Sequence, residues 1–157
     1  MSDTRGFLAS RVLVSHDAAE LLVELMERHG PVMFHQSGGC CDGSSPMCYP
    51  QGDFLVGDAD VLLGQLAVAD TAIPVWISGP QFQAWAHTQL LIDVVPGRGS
   101  GFSLEGPTGK RFLSRSRVIP EDADLPDPLL GADVEAGADP PAPMAPVEPE
   151  SVGVFCS

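Results

Sequence analysis

Positive charge is the scarcest property of this chain. Only 8 of its 157 residues are Lys or Arg, against 21 Asp and Glu, a formal net charge of -13. A phosphate-binding surface requires clustered cations, so the composition argues against a nucleic-acid partner and against an anionic membrane surface. Long apolar runs are also missing, since no stretch approaches the roughly 18 residues that a membrane helix needs. The N-terminal MSDTRGFLASRVLV lacks a basic segment followed by a continuous apolar core, so it does not read as a signal peptide. Cysteine is limited to Cys40, Cys41, Cys48 and Cys156. Three of these fall within nine residues, a poor framework for disulfides across a fold, and a reducing cytoplasm is the expected setting.

What charge there is lies unevenly. From Val118 to Ser157 there are nine acidic residues and no Lys or Arg, which leaves 12 acidic against 8 basic in the first 117. A nearly balanced body therefore carries an acidic tail.

Residues 15–30 read as a helix. Ser15 or Asp17 is placed to cap it, Asp17 and Glu20 have capping-box spacing, and Ala18, Leu21, Leu22, Leu25 and Met26 recur at helical period before Gly30-Pro31 stops the pattern. Val32-Met33-Phe34 reads as a strand that feeds His35, and residues 36–52 as a Gly- and Ser-rich loop. Further strands are expected at 53–56, 61–66, 75–77, 90–95, 101–105 and 111–119. A short helix starts at Ser78-Gly79-Pro80, and Gly97 to Gly101 forms a turn. Strand-dominated order with two helices and short connections gives an α+β class with mainly antiparallel or mixed sheets over residues 1–119. Asp93 stands alone in an apolar strand and needs a partner, for which His87, Arg98 or a loop amide is available.

The loop FHQSGGCCDGSSPMC puts His35, Cys40, Cys41, Asp42 and Cys48 within fourteen residues. Imidazole and thiolates so close together can converge on one borderline ion, zinc or iron, and Gly38, Gly39 and Gly43 supply the backbone freedom for the turn. Two other readings stand beside it: a reactive thiol whose pKa is lowered by the loop and His35, and buried cysteines that only pack. His87, at the end of the short helix, is a further candidate ligand.

Residues 120–151 hold eight prolines and the acidic excess, a composition that does not bury enough surface to offset ordering, so a disordered linker is expected there. The apolar end, residues 152–157, reads either as a docking peptide, with Val154, Phe155 and Cys156 meeting a partner, or as a strand returning to the body.

The stretches HGPVMFHQSGGCCDGSSPMCYP and ISGPQFQAWAHTQLLIDVVPGRGSGFSLEGPTGKRFL resemble a bacterial family called domain of unknown function 779, over roughly Val12 to Arg117. That resemblance implies an aldehyde dehydrogenase as partner, because the family is a genetic neighbour of such enzymes. The order of elements is also similar to the HesB-like A-type iron–sulfur carriers, which implies a HesB-like fold with Cys40 or Cys41 at the loop-ligand position. Gly99-Ser100-Gly101-Phe102 matches the carriers' glycine turn, but Gly106-Pro107-Thr108-Gly109 stands where their Cys-x-Cys pair would lie. A mononuclear ion on Cys40, Cys41, Cys48 and His35 or His87 is therefore expected in place of a cluster. The leading expectation is a non-catalytic accessory protein that binds an aldehyde dehydrogenase and holds a metal ion. The alternative is a small thiol- or metal-dependent enzyme acting on an aldehyde or thiol adduct.

Overall fold

A computed structural model describes residues 10–36, 46–52, 56–57, 59–86, 88–97, 103–119 and 128–148. Ser15 opens the first helix, α1 (His16–His29): its backbone is extended and its hydroxyl accepts the Ala18 N–H at 3.1 Å, so Ser15 rather than Asp17 is the cap. Gly30 ends it at φ 78°, donating its N–H to the Met26 carbonyl. The leucines that recur along α1 are the ones it buries.

Two mixed sheets receive that face. In the smaller, β1 (Val12–Val14) runs parallel to β6 (Thr88–Pro96), which pairs antiparallel with β7 (Lys110–Val118). The larger has the order β3 (Met47–Pro50), β2 (Val32–Gln36), β5 (Thr71–Ile77), β4 (Val61–Val68), β8 (Leu129–Leu130). Only β2 and β5 in it are parallel. A seven-residue helix, α2 (Gly79–Trp85), joins β5 to β6, with Pro80 in its first turn. The class is α+β, and no helix among the described residues is long and apolar enough to cross a membrane.

Alternation along the strands sorts the side chains onto two faces. Inside, Val32, Phe34, Cys48, Val75 and Ile77 of the larger sheet meet Val12, Val14, Leu90, Ile92 and Phe112 of the smaller, with α1. Phe34 and Phe112 cross edge to face at 4.9 Å, one contact that fixes the two sheets against each other. Outside, Met33, Leu62 and Trp76 form a second apolar patch on the larger sheet, and Leu13 and Leu91 a third on the smaller.

Both outer patches are covered by the acidic segment, which overturns the expectation of a disordered linker over residues 128–148. Leu129 and Leu130 pair with Leu62 and Val61, and a short helix, α3 (Gly131–Glu135), brings Val134 over the first patch. The chain then returns to place Met144 and Val147 on the second. Its backbone also completes two strand edges. Met144 exchanges hydrogen bonds with Gln65 and Ala67 on β4, and Val147 with Val14 and His16 beside β1. Composition misled because it averages: the few apolar residues fall where each meets a sheet, and the edge strands gain partners for amides otherwise left to water.

Other departures are local. Met47–Pro50, read as loop, is an edge strand, a position that tolerates Pro50. Residues 71–74, read as a spacer, belong to β5. Ser103 to Glu105 forms a bend and turn that lead into a 3₁₀ turn at Gly106–Thr108, where a strand was expected over 101–105.

Candidate functional site

The cysteine loop leaves from the end of β2 and re-enters at β3, so the strand register fixes what its two roots present. Phe34 stands opposite Cys48 and His35 opposite Met47. Cys48 therefore points into the interior with Phe34, and His35 points to the outer face with Met33. The expected convergence of His35 and Cys48 on one ion is not what the strands deliver. Among the described residues, no group of three or more His, Cys, Asp and Glu is placed to hold a metal. Cys40, Cys41, His87 and the terminal Val154, Phe155 and Cys156 lie outside the described residues.

Cys48 is fully buried. Burial first, and then the charge of Glu105, push its thiol far above the ordinary range, so it is protonated at any physiological pH. That excludes Cys48 as an activated nucleophile. Its surroundings serve a different purpose. The Cys48 N–H donates to Ser103 Oγ at 2.8 Å, and its carbonyl accepts the Leu104 N–H at 3.0 Å. The Ser103 hydroxyl donates to one carboxylate oxygen of the fully buried Glu105, and the Phe112 N–H reaches the other at 3.3 Å. Residues 103–105 thus sew the edge strand β3 to the edge strand β7.

His35 is 3% exposed, and its Nε2 lies 3.4 Å from Asp60 Oδ1. Asp60 is held by its neighbours. Its Oδ2 accepts the Gly57 N–H at 2.8 Å, its own N–H donates to the Gly57 carbonyl at 3.1 Å, and its carbonyl accepts the Gly131 N–H at 2.8 Å. A carboxylate beside one imidazole nitrogen is an arrangement shared by metal-ligating and proton-transferring histidines. On the interior side of the same strand end, Ser114 Oγ donates to Gln36 Oε1 at 3.0 Å, a buried polar link between the sheets.

Two acidic residues in this account escaped sequence reading. Asp60 has only the turn signal of Gly57-Asp58 before an apolar strand. Glu105 precedes Gly106-Pro107, which marks a turn and gives no sign of burial. Asp93 does find partners, though not the expected ones: the Ser15 hydroxyl at 2.8 Å, the Val94 N–H at 2.9 Å and Arg115 Nε at 2.9 Å.

A separate cleft of about 330 Å³ lies between α1 and the far end of β6, lined by Asp17, Glu20, Glu24 and Lys110 over Leu21 and Val94. It contains no His, Cys or Ser among its lining residues.

These features define an α+β domain with a buried His–Asp pair at the root of a cysteine loop. Residues 21–118 match the model of a family described as a domain of unknown function (DUF779), and the chain belongs to that family. No curated protein and no solved structure matches it.

Proposed function

We propose that the chain is a non-catalytic accessory protein that binds an aldehyde dehydrogenase and holds a metal ion, zinc or iron, in its cysteine loop. The observation that carries the metal reading is the His35–Asp60 pair. It sets an imidazole at the root of the loop, with the Asp60 carboxylate 3.4 Å from its Nε2. The donor set is smaller than the sequence suggests. Cys48, turned inward as a neutral thiol, does not fit, so His35, Cys40 and Cys41 are the ligands, with His87 as the fourth. Such an ion would cross-link a glycine-rich loop to the sheet and give it a defined surface to present.

The dehydrogenase is the partner implied by the resemblance to the family, and the terminal Val154, Phe155 and Cys156 are its docking residues.

Elemental analysis of protein purified under reducing conditions without chelator tests the metal. Zinc or iron should be present near one equivalent, lost in His35→Gln and Cys41→Ser, and retained in Cys48→Ala. Metal-free protein, or equal loss in Cys48→Ala, overturns the reading. Co-purification with an acetaldehyde dehydrogenase, weakened by deletion of residues 152–157, tests the partner.

A further inference from the structure

We propose that the C-terminal segment 128–148 is a latch on the His35–Asp60 pair: seated, it fixes the carboxylate against the imidazole, and withdrawn, it releases both. The inference rests on the reading of His35 as the loop's functional residue.

The argument begins at Gly131. Its N–H donates to the Asp60 carbonyl at 2.8 Å, and it is buried. A Cβ added there would fall well inside the Gly57 carbonyl oxygen, with Val56 Cγ1 3.3 Å away. Two backbones therefore touch at a point only glycine allows. The touched element is the turn from Gly57 to Asp60, the same turn whose internal hydrogen bonds aim the Asp60 carboxylate at His35. On another side that turn meets Gly79, at the start of α2, where a Cβ would lie 2.9 Å from the Ala59 carbonyl oxygen. Gly57 and Ala59 of this turn are thus wedged against two glycines, and one of the two belongs to the C-terminal segment.

The remaining attachments of that segment are short or scattered: the two-residue ladder of β8 on β4, the backbone bonds of Met144 and Val147, the Gln65 side chain on the Pro141 carbonyl, the exposed His16–Glu148 pair, and the apolar contacts of Leu129, Val134, Met144 and Val147 on the outer patches. Short ladders and scattered bonds open at lower free energy than core strands. The segment also leads directly into the terminal docking residues. A partner that draws on that end pulls on Val147 and Met144 first, then on Gly131, and so on the turn behind His35. One continuous stretch of backbone then connects partner binding to the loop.

Hydrogen exchange on the full chain at low urea tests this without substitution. The Gly131 and Gly57 amides should open together, at a denaturant concentration where the amides of β2 and β5 remain protected. A Gly57 amide that stays protected up to global unfolding while Gly131 exchanges freely overturns the latch. Gly131→Ala provides the second test. The Met144 and Val147 amides should exchange at least tenfold faster, and the His35 imidazole nitrogen resonances should move toward their positions in Asp60→Asn. Free exchange of those amides with the His35 resonances unmoved shows that the segment is only a cover. Neither readout involves a metal, so the latch stands or falls separately from the metal reading, which metal content decides.

Discussion

Glu105 and Cys48 meet through a single hydroxyl: Ser103 Oγ accepts the Cys48 N–H and donates to the Glu105 carboxylate, deep in the seam between β3 and β7. Among the described residues no Lys, Arg or His lies within ion-pair distance of Glu105, and its partners are neutral donors. The seam therefore depends on a carboxylate whose solvation has been replaced by Ser103 and the Phe112 amide.

Removing that acceptor should cost more than the hydrogen bonds themselves. Glu105→Ala strands two buried donors, at about 1–3 kcal/mol each, so a loss of roughly 2–6 kcal/mol in urea unfolding is expected. Glu105→Gln retains an acceptor and should lose less than half as much. Equal losses in the two variants would show that the charge, and not the acceptor, is what the seam requires.

Cys48 should be inert while the fold holds. Its thiol is raised by burial and then by Glu105, whereas in the unfolded chain it titrates near the ordinary value of about 8.5. A folded value above the unfolded one means stability intact below about pH 8.5 and declining as pH rises past it, by at most about 1.4 kcal/mol per pH unit. Urea midpoints measured from pH 7 to 10 should fall more steeply for the native sequence than for Cys48→Ala. Thiol reagents at neutral pH should label Cys48 only as fast as the domain unfolds.

Asp93 governs the acid side. Burial alone would raise its pKa, but the Ser15 hydroxyl, the Val94 amide and Arg115 together hold it below the usual carboxylate range. Its contribution is present above about pH 3.9, the unfolded value, and is lost as pH falls through the lower folded value. Asp93→Asn should flatten the stability profile below pH 4 and cost about 1 kcal/mol at neutrality, since the pair with Arg115 is partly screened. An unchanged acid limb would assign acid sensitivity to other carboxylates.

Gly64 is a point of close approach between the two sheets. A Cβ there would lie 3.1 Å from Val12 Cγ1 and 3.3 Å from Ser10 Oγ, beside an irregularity in the β4–β5 register. Gly64→Val should destabilise by about 1–3 kcal/mol through overpacking. Gly64→Ala should cost less, because it adds a single methyl group against Val12 and Ser10.

Helix α1 and strand β6 were legible in sequence because their signals are local: a serine cap, a helical period, an apolar run interrupted only by Asp93 and closed by Pro96-Gly97. His35 was legible as the residue at the mouth of the cysteine loop. Its separation from Cys48 was not, since that depends on Met47–Pro50 being a strand, and four residues with a proline give little strand signal. Asp60 and Glu105 are defined by contacts 25 and 7 residues away along the chain, to His35 and the Phe112 amide. No window of local pattern contains such information. The docking of residues 128–148 failed for the same reason on a larger scale.

The two sheets are closed by different parts of the chain, and this bears on how the family's domain should be produced. Residues 103–105 close one seam from within the matched span of 21–118, whereas the other edges are finished by β1 and by residues 129–147, which fall outside it. A recombinant fragment trimmed to 21–118 would leave the β4 edge and one side of β6 bare, along with the apolar patches around Trp76 and Leu91. Such a fragment should collect in inclusion bodies or associate through those edges. Boundaries near residues 10 and 148 would preserve the hydrogen bonds that keep the domain discrete.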